Sequence, residues 1–236
     1  MDKKQDYLEC ESSRVFSLLM LAGGALGAFT YMARGNVFCN AQTGNILLLG
    51  LALGDGEWRR AAYLLIPITA YGLGAAVSEF LPVPVKKAGK LRWDTLLIGF
   101  ELLVTVLLGF VPEEAPYQIS QVAVNFICSM QYNTFRQAEG IPMATTFCTN
   151  HLRQAGVWLV KGLRKKDRTY LKRFLQHGRM IVLFVAGAAA GAVLCRYVQG
   201  RAVWGASVVY LIVFLDLLYA DLKKEKGQLG RVPSGH

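Results

Sequence analysis

The chain alternates between long apolar blocks and short polar gaps, not between single apolar and polar positions. Val15–Tyr31, Ala61–Val85, Trp93–Val111, Met180–Val198 and Val203–Ala220 are each long enough to cross a hydrocarbon core of roughly 30 Å as a helix. Few charges interrupt them. A helix on the surface of a water-soluble domain would show polar residues every three or four positions, and these blocks do not. The pattern predicts an all-α polytopic membrane protein. Two further helical pieces, 117–135 and 144–160, follow a proline-flanked loop, and the apolar run Asn45–Leu53 is too short to span alone.

Two of the gaps resemble one another. Arg34-Gly35-Asn36 precedes Thr43-Gly44-Asn45, with Gly50 five residues after the Asn; Glu139-Gly140-Ile141-Pro142 precedes Thr149-Asn150-His151, with Gly156 five residues after the His. Paired interruptions in corresponding halves of a membrane protein point to a transporter-type binding site. Irregular backbone inside a bilayer is tolerated only where it is packed in protein or lines a wet cavity.

Charge orients the blocks. The net charge of +10 resides largely in three clusters: Lys86, Lys87, Lys90 and Arg92; Lys161, Arg164, Lys165, Lys166, Arg168, Lys172 and Arg173; Lys223, Lys224 and Lys226. Cations gathered between apolar runs mark cytoplasmic loops, a reading that displaces nucleic-acid binding as the reason for the basic balance. The loop Pro112-Glu113-Glu114-Ala115-Pro116 carries no Lys or Arg and belongs outside. With these assignments 14–33 plus 43–54 make one net crossing, and so do 117–135 plus 144–160. The expectation is about six transmembrane helices plus two short broken or re-entrant helices, arranged as two inverted three-crossing repeats. The units are a cytoplasmic N-terminal tail (1–13), a first repeat (14–85, with 93–111 as its third crossing), a second repeat (117–221) and a cytoplasmic C-terminal tail (222–236). If both short pieces span, the count becomes eight and the repeats parallel, against the charge rule at 161–173. The segment after the mixed-charge N-terminus shows no convincing cleavage site and is read as a retained helix.

The composition, 53% hydrophobic with 24 glycines, adds close helix packing to this picture. Gly23-x-x-x-Gly27 and Gly187-x-x-x-Gly191 are small-residue ridges of the kind that let helices approach in lipid. Trp58, Trp93 and Trp204 fall near predicted ends, where interfacial anchors belong. The five cysteines show no C-x-x-C spacing and no zinc-like pairing with the three histidines, so neither disulfide nor metal is expected. No nucleotide-binding glycine loop, Ser-His-Asp set or metalloprotease spacing appears; the chain is read as no enzyme and as needing no cofactor.

Candidate binding residues lie in and around the gaps. Asn40, Gln42, Thr43 and Asn45 occupy the first; Arg136, Thr145, Thr146, Thr149, Asn150 and His151 the second. Thr43 and Thr149 suit the start of a short helix, whose exposed amides attract anions. Plain N-capping and interhelix hydrogen bonds would use the same residues. In 117–135, Gln118, Gln121, Asn125 and Ser129 recur at helical spacing and Asn133 follows, a face that can line a water path or glue helices. Glu101 lies mid-helix in an apolar run. An intramembrane carboxylate is costly and is usually paired or titrated in function; Arg136 or His151 would serve as partner. Glu79 and Asp216 lie nearer helix ends, and Asp216 reads as interfacial.

Residues 23–53 carry a resemblance to a known group. Gly23-Gly24-Ala25-Leu26-Gly27-Ala28-Phe29-Thr30-Tyr31, then Phe38-Cys39-Asn40-Ala41-Gln42-Thr43-Gly44-Asn45-Ile46 and Gly50-Leu51-Ala52-Leu53, look like the signature of the YoaK family of bacterial integral membrane proteins. The stretch from Pro142 through Thr145-Thr146-Phe147-Cys148-Thr149 looks like the family's second signature, although members often carry Thr-Gly where this chain has Thr149-Asn150. The resemblance runs from about residue 14 to 221. It implies a bacterial inner-membrane protein of about six helices and no established substrate. The sequence therefore points first to a secondary transporter or permease for a small polar or anionic solute, with both termini cytoplasmic. A non-transporting scaffold or sensor is the alternative, and a membrane-embedded enzyme comes third. The partners expected are the lipid bilayer and an unidentified small-molecule solute; the small size leaves a homodimer open.

Overall fold

A computed structural model describes residues 7–233, without the side chains of residues 87 and 88. Nine α-helices carry the fold among the described residues: α1 (Ser13–Ala33), α2 (Gln42–Gly54), α3 (Trp58–Phe80), α4 (Pro82–Ala88), α5 (Trp93–Leu108), α6 (Tyr117–Thr134), α7 (Thr149–Lys165), α8 (Arg168–Val198) and α9 (Trp204–Tyr219). Three apolar helical stretches are long enough to cross a membrane: Ser13–Ala33, Trp58–Lys86 and Arg168–Lys224, the last turning back at residues 199–203. Helix α5, 16 residues long and holding Asp94 and Glu101, is shorter, and α6 is more polar.

Packing follows a regular scheme. Helix α1 runs along α8 and α6 along α3; α2 packs on α3 and α7 on α8; α5 and α9 pack on each other. Missing side chains allow the closest approaches. A Cβ on Gly24 would strike the Phe184 carbonyl, one on Gly187 the Leu21 carbonyl, and one on Gly74 the Phe126 carbonyl. Successive contacts (Gly187 near Leu21, Gly191 near Ala25) show α1 and α8 parallel. The predicted ridge is thus split in use. Gly24 and Gly187 serve the helix contact, whereas Gly23 and Gly27 face the two breaks.

Ion pairs and hydrogen bonds sort the helix ends into two sets. At one end Lys224 meets Glu9 (2.6 Å), Arg92 meets Asp221 (3.5 Å) and Glu225 (3.1 Å), Arg136 meets Glu79 (3.0 Å) and Arg14 meets Asp216 (3.0 Å). The first and last described segments, the end of α3 and the start of α5 share this terminal end. At the far end the buried Arg34 donates to the Val111 carbonyl and pairs with Glu113, which also accepts from the Gly200 amide.

Four sequence expectations change here. Residues 220–228 are no free tail: a π turn (Ala220–Lys224) and a 3-10 turn (Lys226–Gln228) fold back and bury Asp221 and Glu225 against Arg92. Residues 9–11 likewise form a packed turn with Glu11 buried. Helix α8 begins twelve residues before the apolar block, because its basic start packs on α7. A two-stranded ribbon, Gln137–Ala138 with Ile141–Pro142, breaks the all-α pattern. It turns through Glu139 (φ 49°) and Gly140 (φ 77°), consecutive left-handed residues that match the strand twist. The first gap turns in the same way, through Gly35 (φ 85°) and Asn36 (φ 58°). The tail positions 1–6 and 234–236 lie outside the described residues.

Candidate functional site

The two breaks converge on one residue. Gly23 has ten residues of α1 on either side, about 15 Å of helix each way. Its carbonyl accepts from Asn40 Nδ2 at 3.1 Å. On its other side a Cβ would meet the Thr145 carbonyl oxygen at 2.8 Å and Thr146 Cα at 3.3 Å, while a Cβ on Gly27 would meet Asn40 Nδ2 at 3.0 Å. Each break therefore reaches the middle of α1. From there α2 runs back toward the far end, where α3 starts, and α7 runs back toward the terminal end, where α8 starts.

The short helices begin without side-chain caps. Ala41 precedes α2 and Cys148 precedes α7, and neither bonds the first turn. Thr43 and Thr149 do not cap either; both are exposed, inside the first turn of their helices. Helical geometry explains this: each Thr lies two residues before a buried Asn45 or His151, about 200° around the axis. Asn45 and His151 fix their breaks in matching fashion. Asn45 Nδ2 donates to the Phe38 carbonyl at 3.0 Å, and His151 Nε2 lies 2.9 Å from the Ala144 carbonyl, each seven residues back. A carbonyl only accepts, so His151 Nε2 carries the proton there. His151 Nδ1 lies 3.0 Å from His177 Nδ1, and in the neutral pair His177 is the donor. His177 was invisible to sequence reasoning, since only the α7–α8 register pairs residues 26 apart.

The remaining candidates separate into four groups. Gln42 donates to Asn125 Oδ1 and accepts from Asn45, which ties the first break to the polar face of α6. Asn133, Arg136 and Asn150 line a cavity of about 290 Å³ beside the second break, at the terminal end. Arg136 there holds Glu79 and Asn133, and Asn133 also donates to Ser78 Oγ. Two other cavities, of about 480 and 300 Å³, touch neither break.

Glu101 pairs with neither Arg136 nor His151. It is 0% exposed, and neither oxygen has a hydrogen-bond partner among the described residues. The Tyr210 hydroxyl lies beside it but donates to Gln131 Oε1 at 2.8 Å. Gln131 Nε2 in turn reaches the Thr145 carbonyl at 3.5 Å. A polar chain thus leads from the carboxyl through Tyr210 and Gln131 to the second break. Tyr210 sits in an apolar run and gave no sequence signal.

The Thr145 and Thr146 hydroxyls beside Gly23, and Asn45 Oδ1 in the first turn of α2, are buried with no partner among the described residues. A buried unsatisfied polar group costs about 1–3 kcal/mol, a cost that a ligand or solvent would relieve. The first turns of α2 and α7 likewise have no side-chain cap for their backbone amides.

Residues 15–215 match a protein family described as "Protein of unknown function (DUF1275)". The chain is 24% identical over 217 residues to "UPF0700 transmembrane protein YoaK" of Bacillus subtilis (strain 168), covering 89% of this chain and 94% of that protein. No solved structure matches.

Proposed function

The chain belongs to the DUF1275 family, which it shares with a transmembrane relative, and on that premise we propose that it is a secondary transporter or permease for a small polar or anionic solute. Six helices (α1, α3, α5, α6, α8 and α9) cross the bilayer in this reading, and α2 and α7 are re-entrant. The terminal end faces the cytoplasm of a bacterial inner membrane. Exchanging α1, α2, α3 and α5 for α6, α7, α8 and α9 leaves the packing scheme unchanged, as two inverted repeats require. The positive-inside pattern agrees, since α7 and α8 meet at the most cationic loop.

The observation that carries the proposal is the meeting, at Gly23, of the two breaks that lead into the uncapped helices α2 and α7. Discontinuous helices aimed at mid-membrane are how several transporter folds hold substrate, with half-helix N-termini toward anionic groups. The cavity lined by Asn133, Arg136 and Asn150 is the cytoplasmic approach to this centre, and Glu101 is the group through which a proton would be coupled.

A purified-protein thermal-shift screen of small metabolites tests the reading. At least one small anionic or polar solute should raise the melting temperature of the native protein. T145V/T146V should abolish that response while its own stability stays equal or rises by about 1 kcal/mol, because two unpaired hydroxyls are removed. E101Q, reconstituted in vesicles, should lose proton-dependent uptake of that solute. If no solute shifts the native protein, or the shift survives in T145V/T146V, the site is misassigned. The scaffold reading has one observation in its favour: Asn40, Gln42, Asn45, Asn133 and His151 all have protein partners. It predicts no solute response.

A further inference from the structure

Outside the central site, the tip of the α7–α8 hairpin gathers cations that no salt bridge holds among the described residues. The Trp158 and Tyr170 rings stack 5.6 Å apart at 10°. Lys161 Nζ and the Arg173 guanidinium lie over the same indole at 4.6 and 4.7 Å, and Lys165 Nζ lies over Tyr170 at 5.4 Å. None of these three pairs with a carboxylate among the described residues. Asp167 is the one acidic residue between 143 and 198, and its carboxylate accepts from the Thr169 amide at 2.8 Å. That bond, with a smaller contribution from the charge of Lys165, holds its pKa below the ordinary carboxylate value. Three like charges held on one aromatic stack repel each other, and an anion among them relieves that repulsion.

We propose that this stack binds the phosphate of an anionic phospholipid. Two observations favour a lipid over a soluble anion. Leu152, Val160 and Leu163 of α7 are each more than half exposed and share one side of the helix, with the cationic row beginning about 100° further round. Gly156 lies between them, and a Cβ there would meet nothing within 4 Å, so the row offers an open apolar strip for an acyl chain. The depth also suits a headgroup. Arg179 of α8 reaches the Ser13 carbonyl at the start of α1, and Arg173 lies six residues, about 9 Å, further toward the tip. That places the Arg173 backbone at the outer edge of a headgroup layer that extends about 5–8 Å beyond the hydrocarbon on each side. The proposal rests on the membrane orientation above and not on transport, so it stands even if no solute is carried.

Native mass spectrometry and thermal shift on the detergent-purified full chain test it, with phosphatidylglycerol, phosphatidylcholine and soluble glycerol 3-phosphate as probes. Phosphatidylglycerol should raise the melting temperature and persist as a one-to-one adduct; phosphatidylcholine and glycerol 3-phosphate should do neither. K161Q/K165Q/R173Q should need at least tenfold more phosphatidylglycerol for the same shift. K161R/K165R/R173K, which keeps the charges, and R59Q/R201Q, at the far end, should respond as the native protein does. Equal responses to both phospholipids would overturn the proposal, as would protection by glycerol 3-phosphate matching that of phosphatidylglycerol, or an unaltered response in the triple glutamine variant.

Discussion

Valine at Gly187 should lower the melting temperature of the detergent-solubilised protein by about 10 °C, the shift that about 3 kcal/mol produces in a chain of this size. Helices α1 and α8 are parallel and touch backbone to backbone, and a side chain at Gly187 would press on the Leu21 carbonyl itself. Neither backbone can yield without separating the helices along their length, because Gly24 meets Phe184 one turn away. No hydrophobic gain offsets this, since lipid tails solvate apolar side chains as well as a neighbouring helix does. Gly72→Ala provides the contrast. A Cβ there meets nothing within 4 Å, and the helix should gain about 0.5–1 kcal/mol from the better former. A melting curve in which G187V and G72A behave alike would contradict the packing described.

Arg92→Met should cost about 3–5 kcal/mol, as removing one partner of a buried ion cluster does. Arg92, Asp221 and Glu225 are all nearly buried. The guanidinium lies 3.5 Å from Asp221 and 3.1 Å from Glu225, and its Nη2 also donates to the Gln228 carbonyl at 3.1 Å. Without it two carboxylates remain with no cation, and among the described residues Thr95 Oγ1 and the Arg92 amide still donate to Asp221 and the Glu9 amide to Glu225. The segment 220–228 should then detach and become sensitive to protease. R92M/D221N/E225Q should recover much of the loss by removing the stranded charges. If R92M alone melts as the native protein does, the C-terminal segment is not held by this cluster.

How far the sequence revealed this arrangement depends on what enforced each part. The apolar blocks were legible because a bilayer admits no unpaired backbone; α1, α3, α5, α6 and α9 fall close to their expected bounds. The two breaks were legible for the same reason, since Gly35-Asn36 and Glu139-Gly140 leave the helical region where the chain must turn. Asn40, Thr145 and Thr146 then lie against Gly23. Thr43 and Thr149 do not join them, a consequence of helix phase that the spacing to Asn45 and His151 already contained. What was hidden depends on tertiary register. Arg92 and Asp221 are 129 residues apart and Tyr210 and Gln131 79 apart, and no local pattern announces either pair. The early start of α8 was hidden because its first turns, rich in Arg and Lys, are held by α7 and not by lipid.

If two units of opposite orientation bring their breaks together at Gly23, the turns after α2 and α7 lie on opposite faces of the membrane. Single cysteines at Asp55 and Arg168 allow a direct measurement by membrane-impermeant maleimide in intact cells, against a background of native thiols that are buried or half-buried. The account predicts labelling at Asp55→Cys from outside, and at Arg168→Cys only after the cells are opened. Labelling of both positions from the same side would contradict it.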